Sequence, residues 1–131
     1  MKKWLCLILL MFFCSGCAKP QAPINTYRQI TMEEAVVMME KESNYMILDV
    51  RTPAEFAEKH IPNAVNLPNE SIGSVEIAEL PDKDQLILVY CRSGRRSKEA
   101  AEKLVLLGYT NVVEFGGIND WKGATVSENR E

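Results

Sequence analysis

Residues 86–97 read LILVYCRSGRRS. The apolar residues 86–90 predict a buried strand, and a helical pattern follows over about residues 97–107. Cys91 therefore lies where a strand turns into a helix. A helix N-terminus and neighbouring guanidinium groups both favour the thiolate, which is the nucleophilic form of cysteine. The segment predicts a catalytic cysteine in an anion-binding loop.

The loop supplies five candidate substrate-binding residues: Arg92, Ser93, Gly94, Arg95 and Arg96. Gly94 permits a positive φ that other residues resist, which suits a tight turn. The whole chain carries 15 basic and 18 acidic residues, a net charge of −3. An acidic protein is not built to bind nucleic acid or an anionic membrane surface. Positive charge that is concentrated in one loop favours a small anionic ligand instead.

Strand and helix signals alternate along the rest of the chain. We expect helices over residues 31–42, from a capping box of Thr31 and Glu34, over 53–57 and 74–80, and in a last short segment that carries Trp121. Apolar runs predict strands over residues 45–50, 64–67 and 112–115. This order indicates an α/β fold with a mostly parallel sheet flanked by helices. Ligands of such sheets bind at the carboxyl ends of the strands, where Cys91 lies.

The N-terminal segment has the outline of a signal peptide. Lys2 and Lys3 form a basic region, residues 4–13 are an apolar run, and residues 14–17 read CSGC. The run is shorter than the about 20 residues that span a bilayer as a helix, although an uncleaved anchor or a buried helix remains the alternative. A cysteine after Ser-Gly resembles the bacterial lipobox, except that Cys14 stands where leucine is commonest. Cys17 is then the lipidated residue.

Cleavage before Cys17 divides the chain into four parts. These are a signal peptide (1–16), a lipidated N-terminus and tether (17–27), a single domain (28–125) and a polar tail (126–131). The expected location is extracytoplasmic, with the lipid anchoring the protein to a membrane of the bacterial cell envelope. Loss of the two leader lysines makes the net charge about −5.

Cys91 is the only thiol left in the domain under this division. The domain then has no internal disulfide and no CxxC dithiol, and an unpaired thiol outside the cytoplasm indicates reactivity. His60 is the single histidine, so a zinc site would need carboxylates to complete its ligands, which is uncommon. We expect no metal and no cofactor.

Several segments together resemble a single rhodanese domain. In order, they are residues 48–51 (LDVR), 55–56 (EF), 60–68 (HIPNAVNLP), the cysteine loop, and Gly116-Gly117 to Trp121. The resemblance covers about residues 28–125 and implies a three-layer α/β fold. It implies a sulfurtransferase that carries sulfane sulfur as a persulfide on Cys91, from an anionic donor such as thiosulfate to a thiol or cyanide-like acceptor. The sequence departs from the family pattern at Lys59 and Asn63, where glycine is usual. These departures affect the expected geometry of a turn and not the chemistry of the cysteine loop.

Two other functions stay open at this point. Cysteine phosphatases and arsenate reductases also hold a thiolate in an anion-binding loop, but their signature has five residues between cysteine and arginine. Here the sixth position after Cys91 is Ser97, and Arg96 comes one residue too early. The second alternative is a catalytically idle domain that binds or delivers to a partner, because fold alone does not establish activity.

Other polar residues have structural interpretations. Asp49 and Arg51 end a strand and line the rim of the site or form a structural ion pair, with Glu55 as the candidate partner of Arg51. His60 is interpreted as a turn or packing residue, and Trp121 as a packing residue. Nothing in the composition requires more than a monomer.

Overall fold

The computed structural model describes residues 26–73 and 75–129, together with Gly16. Cys17 and the predicted signal peptide apart from Gly16 lie outside the described residues. The strands are β1 (Arg28–Gln29), β2 (Tyr45–Asp49), β3 (Val65–Asn66), β4 (Leu86–Cys91) and β5 (Val112–Gly117). The helices are α1 (Met32–Lys41), α2 (Pro53–Glu58) and α3 (Arg95–Leu106), with 3-10 turns at Asn69–Ser71 and Ile118–Asp120.

The five strands form one sheet in the order β1-β5-β4-β2-β3, and every pairing is parallel. Side chains along β4 alternate between two faces, as the pleat of a strand requires. Leu88 and Tyr90 pack into the core beneath α1, whereas Ile87 and Val89 pack into the core beneath α3. Helices thus cover both faces of the sheet. The predicted three-layer α/β fold is confirmed.

Capping boxes fix the starts of α1 and α2. The backbone N–H of Glu34 donates to Thr31 Oγ1 at 3.1 Å, and the N–H of Thr31 donates to a Glu34 carboxylate oxygen at 2.8 Å. Thr52 and Glu55 make the same reciprocal pair, with Pro53 in the first turn. Such boxes satisfy donors that the first turn of a helix leaves free. The predicted start of α1 is confirmed.

The helix predicted over residues 74–80 is wrong for the part that the structure describes, because residues 75–80 form no helix. Ile77 and Leu80 are nevertheless buried, and the Tyr109 hydroxyl donates to the Leu80 carbonyl at 2.7 Å. The proline at position 81 disfavours a helical conformation at Leu80. The buried side chains of Ile77 and Leu80 therefore pack this segment against the core without helical hydrogen bonding.

Element ends also differ from the sequence prediction. The helix α3 begins at Arg95, two residues early, and the last predicted helix is the 3-10 turn that ends before Trp121.

Toward the C-terminus, Val126 forms an antiparallel bridge with His60, and the N–H of Glu128 donates to the Ala57 carbonyl at 3.0 Å. Across residues 26–73 and 75–129, no helix has the length and apolar character needed to cross a membrane.

Candidate active site

The Cys91 thiol lies at the carboxyl end of the central strand β4, and the residue is 1% exposed. Its Sγ accepts a hydrogen bond from the backbone N–H of Gly94 at 3.0 Å. Gly94 is the N-cap of α3, a helix of 12 residues, so the sulfur faces the positive end of the helix dipole. The chain thus brings the cysteine and the helix N-terminus together as the sequence predicted.

Two glycines give the loop its shape. Gly94 has a φ of 107°, in the left-handed region that side chains resist. Gly117 is the partner of Cys91 across the β4–β5 ladder, and a Cβ there would overlap the Arg92 carbonyl group. The N–H of Asn119 donates to the same carbonyl at 3.2 Å. The end of β5 and the turn after it therefore pack directly against the backbone of the cysteine loop.

The loop arginines carry less free positive charge than their number suggests. Arg96 forms a bidentate pair with Glu55 of α2, with N–O distances of 2.8 and 3.0 Å. Arg95 is paired with Glu99 at 2.9 Å on the exposed face of α3. Arg92 is exposed, and among residues 26–73 and 75–129 it makes no ion pair. Among the described residues, Arg92 is therefore the loop arginine without a carboxylate partner.

The pairing of Glu55 with Arg96 changes the acid–base properties of both groups. The hydrogen bond from Arg96 is the largest cause that lowers the pKa of Glu55 to about 2, and it also raises the pKa of Arg96. Both side chains therefore stay charged at neutral pH. Because the sequence separates them by 41 residues, no local pattern could have paired them.

A buried polar network lies behind the cysteine, and the sequence analysis missed it. The Ser97 hydroxyl is 3.4 Å from Cys91 Sγ and 2.6 Å from a Glu114 carboxylate oxygen, Oε1. The N–H of Gly116 donates to the same oxygen at 2.8 Å. Ser97 and Glu114 are both buried. The available signal was a lone carboxylate within the otherwise apolar strand VVEFGG of residues 112–117.

Arg51 pairs with Asp49 and not with the expected Glu55. Its Nη2 lies 2.6 Å from Asp49 Oδ2, and the Tyr90 hydroxyl donates to the same oxygen at 2.6 Å. Burial alone would lower the pKa of Arg51, but the hydrogen bonds and charge interactions with Asp49 and Tyr90 together outweigh burial, so that the pKa is raised. Burial, and then the bond to Asp49, raise the pKa of Tyr90. The pair is buried, and both of its side chains have hydrogen-bond partners.

His60 and Asn63 shape the segment before β3. The His60 ring stacks on Phe56 with centroids 3.7 Å apart, and its Nδ1 lies 2.8 Å from the Phe56 carbonyl oxygen. The interpretation of His60 as a packing residue is confirmed. Asn63 has a φ of 67°, the left-handed conformation in which asparagine is one of the tolerated substitutes for glycine. The departure from glycine at this position thus leaves the turn intact.

Trp121 packs at the edge of the core beneath α1, and its indole N–H donates to the Ala124 carbonyl at 3.1 Å. This placement confirms its interpretation as a packing residue. Within the part of the chain that the structure describes, no three His, Cys, Asp or Glu side chains are grouped to hold a metal ion.

Comparisons with known proteins point to one family. The sequence profile described as rhodanese-like domain matches residues 31–124. The thiosulfate sulfurtransferase PspE of Escherichia coli (strain K12) is 37% identical over 73 residues, which cover 56% of this chain and 70% of that protein. The thiosulfate sulfurtransferase GlpE of Coxiella burnetii is 36% identical over 97 residues, which cover 73% of this chain and 88% of that protein.

A solved structure described as a rhodanese with anions, from E. coli, is similar with a TM-score of 0.58 and 34% identity. The match covers 63% of this chain and 98% of that one. The residues matched by the family profile include the cysteine loop, Glu55 and Glu114.

Proposed function

This chain belongs to the rhodanese-like family, and we propose that it is a sulfurtransferase that carries sulfane sulfur as a persulfide on Cys91. The observation that carries the proposal is the 3.0 Å hydrogen bond from the Gly94 N–H to Cys91 Sγ, at the N-terminus of α3. This donor and the helix dipole stabilise negative charge on the sulfur without further rearrangement.

The proposed reaction has two displacement steps. The Cys91 thiolate attacks the outer sulfur of a thiosulfate-type donor, so that a new S–S bond forms and sulfite leaves with the electron pair of the broken bond. A thiol or cyanide-like acceptor then attacks the outer sulfur, and Cys91 leaves as the thiolate. The sulfur of Cys91 is anionic before the first step and after the second. One fixed N–H donor therefore serves both steps.

We assign the donor anion to the mouth of the cysteine loop. Arg92 is the exposed loop cation that no carboxylate neutralises among the described residues, whereas Arg96 is held by Glu55. Ser93, Gly94 and Arg95 complete the loop. Similarity to thiosulfate sulfurtransferases and to a rhodanese described with anions supports a small anionic donor. No nucleic acid is expected as a partner, and the proposed protein works as a monomer.

A cysteine phosphatase or arsenate reductase function is less well supported. Those enzymes need a guanidinium six residues after the cysteine, but here that position is Ser97, which is buried and directed at Glu114. Arg96, one residue earlier, is held by Glu55 of α2. The loop thus lacks the group that would clamp a tetrahedral phosphate.

For location, we propose lipidation at Cys17 and an extracytoplasmic, membrane-anchored protein. The support is the sequence pattern of residues 1–17 alone. Expression in a bacterium fed with labelled palmitate should label the chain, and Cys17→Ala should abolish the label. Equal labelling of both chains would contradict the proposal.

The sulfur carrier is tested by the intact mass of the full chain after incubation with thiosulfate. We expect a gain of one sulfur atom that a reductant removes, and no such gain in Cys91→Ser, whose remaining cysteines control for other thiols. Folding of both chains is checked by circular dichroism. A folded parent that gains no sulfur from thiosulfate, polysulfide or glutathione persulfide would refute the proposed function.

A further inference from the structure

The buried network behind Cys91 forms a continuous path from the thiol to a carboxylate. Cys91 Sγ is 3.4 Å from Ser97 Oγ, which is 2.6 Å from Glu114 Oε1. Cys91, Ser97 and Glu114 are 1%, 0% and 3% exposed. Water therefore has little access to this path, and any proton that leaves the resting thiol along it moves between these three side chains.

The direction of the hydrogen bonds follows from proton counting. A serine hydroxyl has a single proton to donate. Its candidate acceptors are Glu114 Oε1 at 2.6 Å, the Gly94 carbonyl at 3.0 Å and the Gly116 carbonyl at 3.4 Å. The shortest is in the range of a hydroxyl bonded to an ionised carboxylate. Ser97 thus donates to Glu114 and leaves an oxygen lone pair to accept the S–H proton of Cys91.

Both ends of the path suit a proton shift from sulfur to carboxylate. At the sulfur, the Gly94 N–H at 3.0 Å and the start of α3 stabilise a thiolate. At the other end, Glu114 is buried, and its Oε1 is the nearest acceptor of the Ser97 hydroxyl, at 2.6 Å. The one histidine does not serve, because His60 is stacked on Phe56 and bonded to its carbonyl group.

We propose that Ser97 and Glu114 form a proton relay that activates Cys91, with Glu114 as the internal proton acceptor. The Cys91 proton passes to Ser97 Oγ as the Ser97 hydroxyl proton passes to Glu114 Oε1. The sulfur keeps the S–H electron pair, Glu114 becomes a neutral acid, and Ser97 then donates to the thiolate. No oxidant or co-reactant is needed. This inference rests on the proposed function, whose nucleophile is the same thiolate.

Other charged groups near the relay do not replace Glu114. Arg96 of α3 interacts electrostatically with Cys91 and with Glu70, but it is held by Glu55, which stays ionised because Arg96 lowers its pKa to about 2. On the elements beside β5, Arg28 of β1 donates to Asn111, and Glu34 of α1 caps Thr31. Among the described hydrogen bonds, Ser97 links the thiol to one ionisable group, Glu114.

The relay predicts an unusual pH dependence of thiol reactivity. A thiol and a carboxylate that share one proton titrate as a pair in two steps. Between those steps, the fraction present as thiolate and neutral acid does not depend on pH. A simple thiol instead loses about tenfold of its thiolate for each pH unit below its titration. The slope of reactivity against pH therefore separates a relay from a passive hydrogen-bond network.

The test is the rate of Cys91 alkylation by iodoacetamide in the full chain, followed on the peptide that contains Cys91 from about pH 5 to about pH 10. The reagent is uncharged, so the loop arginines do not attract it. We expect the parent rate to change less than about twofold over part of the acidic to neutral range and to rise again at higher pH. Glu114→Gln retains a side-chain oxygen that accepts from the Gly116 N–H. Its alkylation rate should show no flat region and should fall about tenfold for each unit by which the pH is lowered.

Ser97→Ala breaks the path at its middle and should give the same profile as Glu114→Gln, which keeps the test valid if one variant fails to fold. Glu102→Gln, an exposed change on α3, should retain the flat region of the parent. A parent profile with a single titration would overturn the relay, as would variants that lower the rate without changing its slope.

Persulfide formation from thiosulfate is measured separately by mass. A chain that forms the persulfide with a single alkylation titration refutes the relay alone. A chain with a two-step titration that forms no persulfide refutes the proposed function alone.

Discussion

Replacing Glu55 by glutamine should weaken the fold at neutral pH and matter little in strong acid. The hydrogen bond from Arg96 is the largest cause that lowers the pKa of Glu55 from 4.5 to about 2, with a smaller part from the N-cap Thr52. A carboxyl group whose pKa is lowered by folding stabilises the folded chain above its unfolded-state pKa. That stability is lost as the pH falls through the folded-state pKa.

The size of the effect follows from the same two values. A lowering from 4.5 to about 2 corresponds to about 3 kcal/mol of unfolding free energy at neutral pH. By about pH 3 this contribution falls to about 1.4 kcal/mol, and below about pH 2 little remains. The side chains of Glu55 and Arg96 are 23% and 18% exposed. Because this exposure admits screening by solvent, these energies are upper limits.

Urea denaturation of the parent and Glu55→Gln at a series of pH values measures this contribution. The difference in unfolding free energy should be largest near pH 7 and should shrink by at least about half near pH 3. Glu58→Gln, an exposed change on the same helix, should stay within about 0.5 kcal/mol of the parent throughout. If the Glu55 variant and the parent differ by the same amount at both pH values, the ion pair is not the source of the stability.

Two further substitutions test contacts around the cysteine loop. Gly117→Ala should cost about 2–3 kcal/mol, because the new Cβ overlaps the Arg92 carbonyl group, and it should also lower the persulfide yield. The control is Gly73→Ala, where a Cβ would meet nothing within 4 Å, and it should change the melting temperature little. If both variants lose the same stability, the overlap with the Arg92 carbonyl group is not the cause. Tyr90→Phe should cost about 2 kcal/mol, because it removes a hydroxyl that donates to a buried carboxylate. The hydroxyl of Tyr45 makes no hydrogen bond among the described contacts, so Tyr45→Phe should cost less than about 0.5 kcal/mol in the same denaturation assay. If both variants lose the same stability, the Tyr90 hydroxyl does not have the role given to it.

Local sequence could predict much of this fold because its signals act over a few residues. The capping pair of Thr31 and Glu34 is three positions apart, and the apolar runs of β2, β4 and β5 mark strands by themselves. The helix predicted over residues 74–80 was wrong because the apolar pattern there reports burial and not helical structure. Its apolar residues Ile77 and Leu80 are buried by the rest of the core, and burial alone does not distinguish a helix from an irregular segment.

The sequence by itself determined the α/β class, the position of Cys91 directly after a buried strand, and the glycine that turns the loop, since each depends on neighbouring residues. Only the tertiary structure decided what surrounds the thiol. Arg96 is held by Glu55 across 41 residues, and Ser97 meets Glu114 across 17. Parallel strands joined by crossover connections bring such distant side chains to one edge of the sheet. The sequence pattern names the nucleophile, whereas the packing of α2, α3 and β5 sets the charges around it.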